Sequence, residues 1–152
     1  MTAPTRQDFR FVNRLRVRWS EVDMQKVVFN AHYLMYFDIA ISDYWREMAL
    51  PYEEAFAMLK GDLYVKKASL EYHASARCDD QLDVALKCAR MGTSSIAFAG
   101  AIRRGDELLV TGELIYVFAD PATQKSKPLP DVLRHAFLDF EAGQSLVTLK
   151  TG

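Results

Sequence analysis

The chain has little cysteine and little histidine. Its 152 residues contain two cysteines, Cys78 and Cys88, and three histidines. The cysteines lack C-x-x-C spacing and have no histidine cluster beside them, so a disulfide framework and a zinc site are not expected. They read as small reduced packing residues of a cytoplasmic protein. Charge of one sign is also missing. The formal net charge is -1, which gives bulk electrostatics no reason to favour nucleic acid or an anionic membrane surface. No apolar run reaches the length of a membrane span. The first ten residues, MTAPTRQDFR, contain neither an apolar core nor a cleavage-site pattern, so no signal peptide is expected. Repeats, low-complexity tracts and linkers are absent, which leaves residues 1–152 as one expected domain, with a polar tail at 1–9 and frayed residues at 142–152.

What is present is a clear change of period. From Arg10 to Trp19 the residues alternate, with Phe11, Leu15, Val17 and Trp19 on one face and four arginines on the other, the pattern of a half-buried strand with a solvated basic face. An acidic turn, Ser20-Glu21-Val22-Asp23, follows. A helix then opens at Asn30 or Ala31, with Asn30 as its expected N-cap. It is apolar nearly all round through Tyr33, Leu34, Tyr36, Phe37, Ala40, Ile41, Tyr44, Trp45 and Met48, apart from a stripe at Asp38, Ser42 and Arg46. A helix of that kind is buried on most sides. Pro51 ends it, and 52–60 reads as a second, short helix. After Gly61 the period becomes two. Four strands are expected, over 64–74, 82–88, 96–102 and 108–118, with a last short helix at 131–140. Helices segregated from antiparallel strands make an α+β fold, and the open sheet edges favour association with a second copy.

The stretch Trp19–Tyr33, WSEVDMQKVVFNAHY, resembles the signature of the 4-hydroxybenzoyl-CoA thioesterase family and its bacterial acyl-CoA thioesterase relatives. The family pattern is an aromatic residue, three positions, Asp, then a glycine-containing turn leading into a Val-aromatic step and a helix tyrosine. RCDDQLDVALKCARMGTSSIAFAGAIRRGDELLVTGELIYVFAD is similar to the family's last three strands, and KSKPLPDVLR to its closing Lys/Pro stretch. The resemblance implies a hotdog fold, a five-stranded antiparallel sheet wrapped around a long central helix. It implies hydrolysis of an acyl- or aroyl-CoA, or an acyl carrier protein thioester, by a homodimer or homotetramer with no metal or cofactor.

Carried across by position, the resemblance makes Asp23 the catalytic carboxylate and puts Asn30 at the helix start whose backbone N–H polarises the thioester carbonyl. Trp19, Val28, His32 and Tyr33 fall around the substrate. Lys26 stands where the family has glycine. Asp38 and Ile41 replace a Glu and an Arg common in relatives, and Asp38 remains a second candidate carboxylate. Read without the resemblance, Asp23 is a turn or Asx-capping aspartate, Asn30 a plain cap, His32 a first-turn surface residue and Asp38 a member of the polar stripe. Arg90 and Ser94, with Ser95 and Arg77, are candidate contacts for CoA phosphates and otherwise surface residues.

The chemistry fits these residue types. Unpaired amides at a helix N-terminus carry fractional positive charge and can stabilise an oxyanion. A carboxylate can attack the carbonyl or deprotonate water. The CoA thiolate leaves readily, so the scarcity of histidine is no obstacle. A hotdog hydratase would need histidine five residues after the aspartate, where this chain has Val28. A non-catalytic acyl-CoA-binding module is the remaining alternative.

Overall fold

A computed structural model describes residues 4–48 and 52–143. Of the expected frayed end at 142–152, residues 144–152 lie outside the described residues, as does Pro51. The elements run β1 (Phe11–Arg16), α1 (Asn30–Glu47), α2 (Tyr52–Leu59), β2 (Asp62–Tyr72), β3 (Gln81–Met91), β4 (Ser95–Arg104), β5 (Glu107–Ala119) and α3 (Asp131–Glu141). The strands form one antiparallel sheet in the order β1-β3-β4-β5-β2. The expected five-stranded α+β hotdog architecture is present.

The two helices between β1 and β2 carry the chain from one edge of the sheet to the other. Along α1, Tyr33, Tyr36, Phe37, Ala40, Ile41, Tyr44 and Trp45 are buried. The sheet makes room for it with glycines. A Cβ on Gly100 would lie 2.4 Å from the Phe37 ring, and one on Gly112 would lie 3.1 Å from it. The bare backbone therefore lets helix and sheet close on each other. Farther along, the Tyr44 ring packs against Phe11, Phe98, Phe137 and Phe140. Its hydroxyl donates to Glu141 at 2.5 Å, and the same carboxylate oxygen accepts the Cys88 amide at 2.8 Å, which ties α3 to both α1 and β3.

Several local expectations change. Trp19 does not continue the β1 face. Beyond Val17 the chain folds into a 3-10 turn at Trp19–Glu21, closed by Glu21 N–H to Arg18 C=O, and Trp19 ends 79% exposed. The helix begins at Asn30, but Phe29 is the N-cap and no side chain caps it. Asn30 is the first helical residue, so its amide is among those with no carbonyl partner inside the helix. The expected tail is partly structured, with a 3-10 turn at Arg6–Asp8 and Phe9 buried beside Ala85 and Ala101. The basic face of β1 is not simply solvated, because Arg14 and Arg6 share Asp83 at 2.9 and 3.1 Å. Arg104 likewise pairs with Asp80 at 2.7 Å and Glu107 at 2.5 Å. Cys78 is exposed rather than packed, whereas Cys88 is half-buried. Burial, with the Glu141 charge nearby, pushes the Cys88 thiol up to about 12.

Candidate active site

Asp23 opens a tight turn. Its N–H donates to the Val27 carbonyl at 3.0 Å, and its carbonyl accepts the Lys26 amide at 2.9 Å. Its Oδ1 accepts the Gln25 amide at 2.8 Å, an Asx-turn geometry. Oδ2 takes no part in that turn. Lys26 sits at φ 65°, in the left-handed region that glycine adopts without penalty. The glycine-type turn is therefore kept with lysine in it. Past the turn, Val22 and Val28 form an isolated antiparallel bridge, and the Val28 amide donates to the Ala76 carbonyl at 2.9 Å.

The turn delivers the chain to the amino end of α1. Asn30 and Ala31 lie in the first helical turn, where amides have no carbonyl four residues earlier to bond within the helix. Eighteen aligned peptide units place roughly half a positive charge at that end. The end is pinned from two sides. The Tyr33 hydroxyl accepts the Ala76 amide at 2.9 Å, and the Tyr72 hydroxyl donates to the Asn30 carbonyl at 3.4 Å. The Tyr33 and Tyr72 rings lie 5.7 Å apart. Burial raises the Tyr33 phenol above its ordinary value, so it stays a neutral anchor.

Between these parts lies a cavity of about 370 Å³, lined by Asp23, Gln25, Val27, Val28, Asn30 and Tyr33 from the turn and helix. Tyr72, His73, Ala74 and Ser75 line its other side. Asp23, Val28, Asn30 and Tyr33 are thus brought together around one cavity. The Tyr72–Ser75 wall was not foreseen. His73 directly follows β2, in register with the polar positions Lys67, Ser69 and Glu71, so the alternation gives it no signal beyond that of a solvated face. Its Nε2 lies 3.0 Å from the Thr111 hydroxyl.

Other candidates sit elsewhere. Trp19 points to solvent and His32 packs edge-on to Phe29 at 6.0 Å; neither lines the cavity. Arg90 and Ser94 lie at the opposite end of the sheet. Seven strand positions separate Ser95 from Ile102, which is about 23 Å along β4. Arg90 there pairs with Glu113 at 3.3 Å. Asp38 is held by the Tyr116 hydroxyl at 2.5 Å and is not part of the cavity wall. A larger hollow, about 670 Å³, opens between α2 and the 120–127 loop, lined by Phe56, Lys60, Gly61, Asp62, Asp120 and Lys127 among others. It lacks a helix amino end facing a carboxylate, and none of the candidate site residues lines it.

The residue that sequence reading passed over is Glu21. It is only 4% exposed, yet it is charged and fully engaged. Burial alone would raise its carboxyl, but hydrogen bonds from the Arg18 backbone and guanidinium, and from Tyr36, hold it below the ordinary value. Tyr36 is correspondingly pushed up, by burial first and then by its bond to Glu21.

Residues 17–137 match the family model described as the thioesterase-like superfamily. Acyl-CoA thioester hydrolase YbgC of Escherichia coli is 27% identical over 117 residues, covering 76% of this chain and 87% of the relative. Two solved structures share the fold. A thioesterase superfamily protein from Jannaschia aligns with a TM-score of 0.81 at 22% identity, over 91% of this chain and 96% of that one. A 1,4-dihydroxy-2-naphthoyl-CoA thioesterase from Synechocystis aligns with a TM-score of 0.79 at 21% identity, over 86% and 97%.

Proposed function

The chain belongs to the thioesterase-like superfamily, and from that premise we propose that it hydrolyses the thioester of an acyl- or aroyl-CoA, with Asp23 as the reacting carboxylate. The observation that carries this reading is the shared cavity: Asp23, on a hydrogen-bonded turn, and Asn30, the first residue of α1, line the same space. The acyl carbonyl oxygen sits toward the Asn30 amide, which stabilises the negative charge that develops there. Asp23 then acts in one of two ways. It attacks the carbonyl carbon to form a mixed anhydride that water cleaves, or it takes a proton from water that attacks directly. In both routes the C–S bond breaks, CoA leaves as the thiolate, and the acyl group departs as the free acid. Val28, Tyr33 and Tyr72 supply an apolar and aromatic wall for the acyl group.

The same reading makes the protein a cytoplasmic homo-oligomer. Edge strand β2 has no strand on its outer side among the described residues, and Val65 and Tyr72 on it are about half exposed. Arg90 and Ser94 do not line this chain's own cavity and lie toward the other end of the sheet. In a homo-oligomer they are placed to meet CoA phosphates across a subunit boundary.

Thiol release is measured with the wild-type protein on a panel of aroyl-, short-chain and long-chain acyl-CoA substrates. The reading expects turnover on at least one class. Tight acyl-CoA binding without turnover on any of them would support a non-catalytic binding module instead.

A further inference from the structure

We infer that Glu21 is a positioning residue that sets the spacing between Asp23 and the amino end of α1. The inference rests on the reading of Asp23 and Asn30 given above. Glu21 and Asp83 are the buried charged side chains among the described residues, and only Glu21 touches the segments that build the cavity.

Glu21 bonds to three separate segments. Its Oε1 accepts the Arg18 amide and the Tyr36 hydroxyl, each at 2.9 Å. Its Oε2 accepts Arg18 Nε at 3.0 Å and Nη2 at 2.7 Å. Its own carbonyl accepts the Phe29 amide at 3.0 Å. The end of the β1 segment, the body of α1 and the residue just before α1 therefore converge on one side chain and its peptide. The covalent levers are short. Asp23 follows Glu21 by two residues, and Asn30 follows Phe29 by one. A satisfied buried network of this kind is stiff, and reaction rates are sensitive to displacements of about 1 Å.

Glu21 has no place in the cavity wall, so its effect on rate must pass through Asp23 and Asn30. Glu21→Gln keeps the side-chain volume and an acceptor for Tyr36. It loses the charge that holds Arg18 and brings amide hydrogens against the guanidinium. Asp83→Asn is the comparison, because it weakens the other buried carboxylate away from the cavity.

Thiol release and amide hydrogen exchange are measured for wild type, Glu21→Gln, Tyr36→Phe and Asp83→Asn. Positioning predicts that kcat of Glu21→Gln falls about tenfold to a hundredfold, with KM for acyl-CoA little changed. The Phe29 amide exchanges at least about tenfold faster while amides of β4 keep their protection. Asp83→Asn lowers the unfolding midpoint and keeps its kcat. An unchanged kcat or an unchanged Phe29 exchange rate in Glu21→Gln overturns the inference, and so does an equal loss of kcat in Asp83→Asn. If Glu21→Gln does not fold, Tyr36→Phe carries the same readouts in the same directions. Full turnover by Asp23→Asn would contradict the reading of Asp23 itself, a result distinct from wild-type behaviour of Glu21→Gln.

Discussion

At Lys26 the backbone takes φ 65°, where an L side chain costs about 1–2 kcal/mol. The turn tolerates this because two backbone hydrogen bonds close it, Asp23 N–H to the Val27 carbonyl and Lys26 N–H to the Asp23 carbonyl. Glycine would relieve the strain but loses more chain entropy on folding, by about 0.5–1 kcal/mol. Lys26→Gly is therefore expected to stabilise the protein by about 0.5–1 kcal/mol, read as a higher urea midpoint at unchanged slope. A lower midpoint would mean that the lysine side chain makes a compensating contact. Single residues were unevenly legible in the sequence. Asp23 and Tyr33, singled out by their pattern, line one cavity. Trp19 leaves its expected face, because hydrogen bonds between Arg18, Trp19, Glu21 and Val22 end the strand's alternation two residues early. Asp83, held between Arg6 and Arg14, could not be read from spacing, since those partners lie 77 and 69 residues away.

Among the elements, α1 decides the site. Its amino end starts at Asn30, and that choice allows a clean test of the backbone amide. Proline is well tolerated at the first helical position, where its missing N–H breaks no helical bond. The preceding Phe29 sits at φ -62°, ψ 134°, a conformation that a following proline accepts. Asn30→Pro should leave the unfolding midpoint nearly unchanged and lower kcat about 10²–10³-fold, the scale of losing one oxyanion donor. Asn30→Ala, which keeps the amide, should retain most of the activity. Similar rates for the two variants would place the oxyanion elsewhere. The existence of this helix was plain from its apolar sequence, and the four strands from their period of two. The identity of its cap was not, because Phe29 carries no capping side chain and Asn30 is a residue type that usually does. The Tyr72–Ser75 wall was hidden for another reason. It follows β2 into an irregular segment whose place against α1 is fixed by Tyr33 and Ala76, a contact between residues 43 apart in sequence.

Over the whole molecule, two carboxylates link stability to pH. Glu21 and Asp83 both titrate below their ordinary values of 4.5 and 3.8 in the folded state. Their contribution is fully present above those values and is lost as pH falls through the lower, folded ones. The thermal midpoint should hold from neutral pH to about 5 and fall below about 4.5. Glu21→Gln should lower the plateau and shallow the fall, as followed by circular dichroism across pH. A midpoint flat down to pH 3 would contradict the buried ion pairs. The open edge of β2 belongs to this scale too. Size-exclusion chromatography with light scattering should give a dimer or tetramer, and a monomer at micromolar concentration would contradict the shared-site arrangement. The most direct test of the account is kcat for thiol release by Asp23→Asn on the best substrate. An asparagine oxygen can still accept the Gln25 amide, so the turn survives and only the charge and its basicity are removed. Hydrolysis through the Asp23 carboxylate requires a loss of about 10²–10⁴-fold with an unchanged unfolding midpoint; turnover at the wild-type rate would rule that role out.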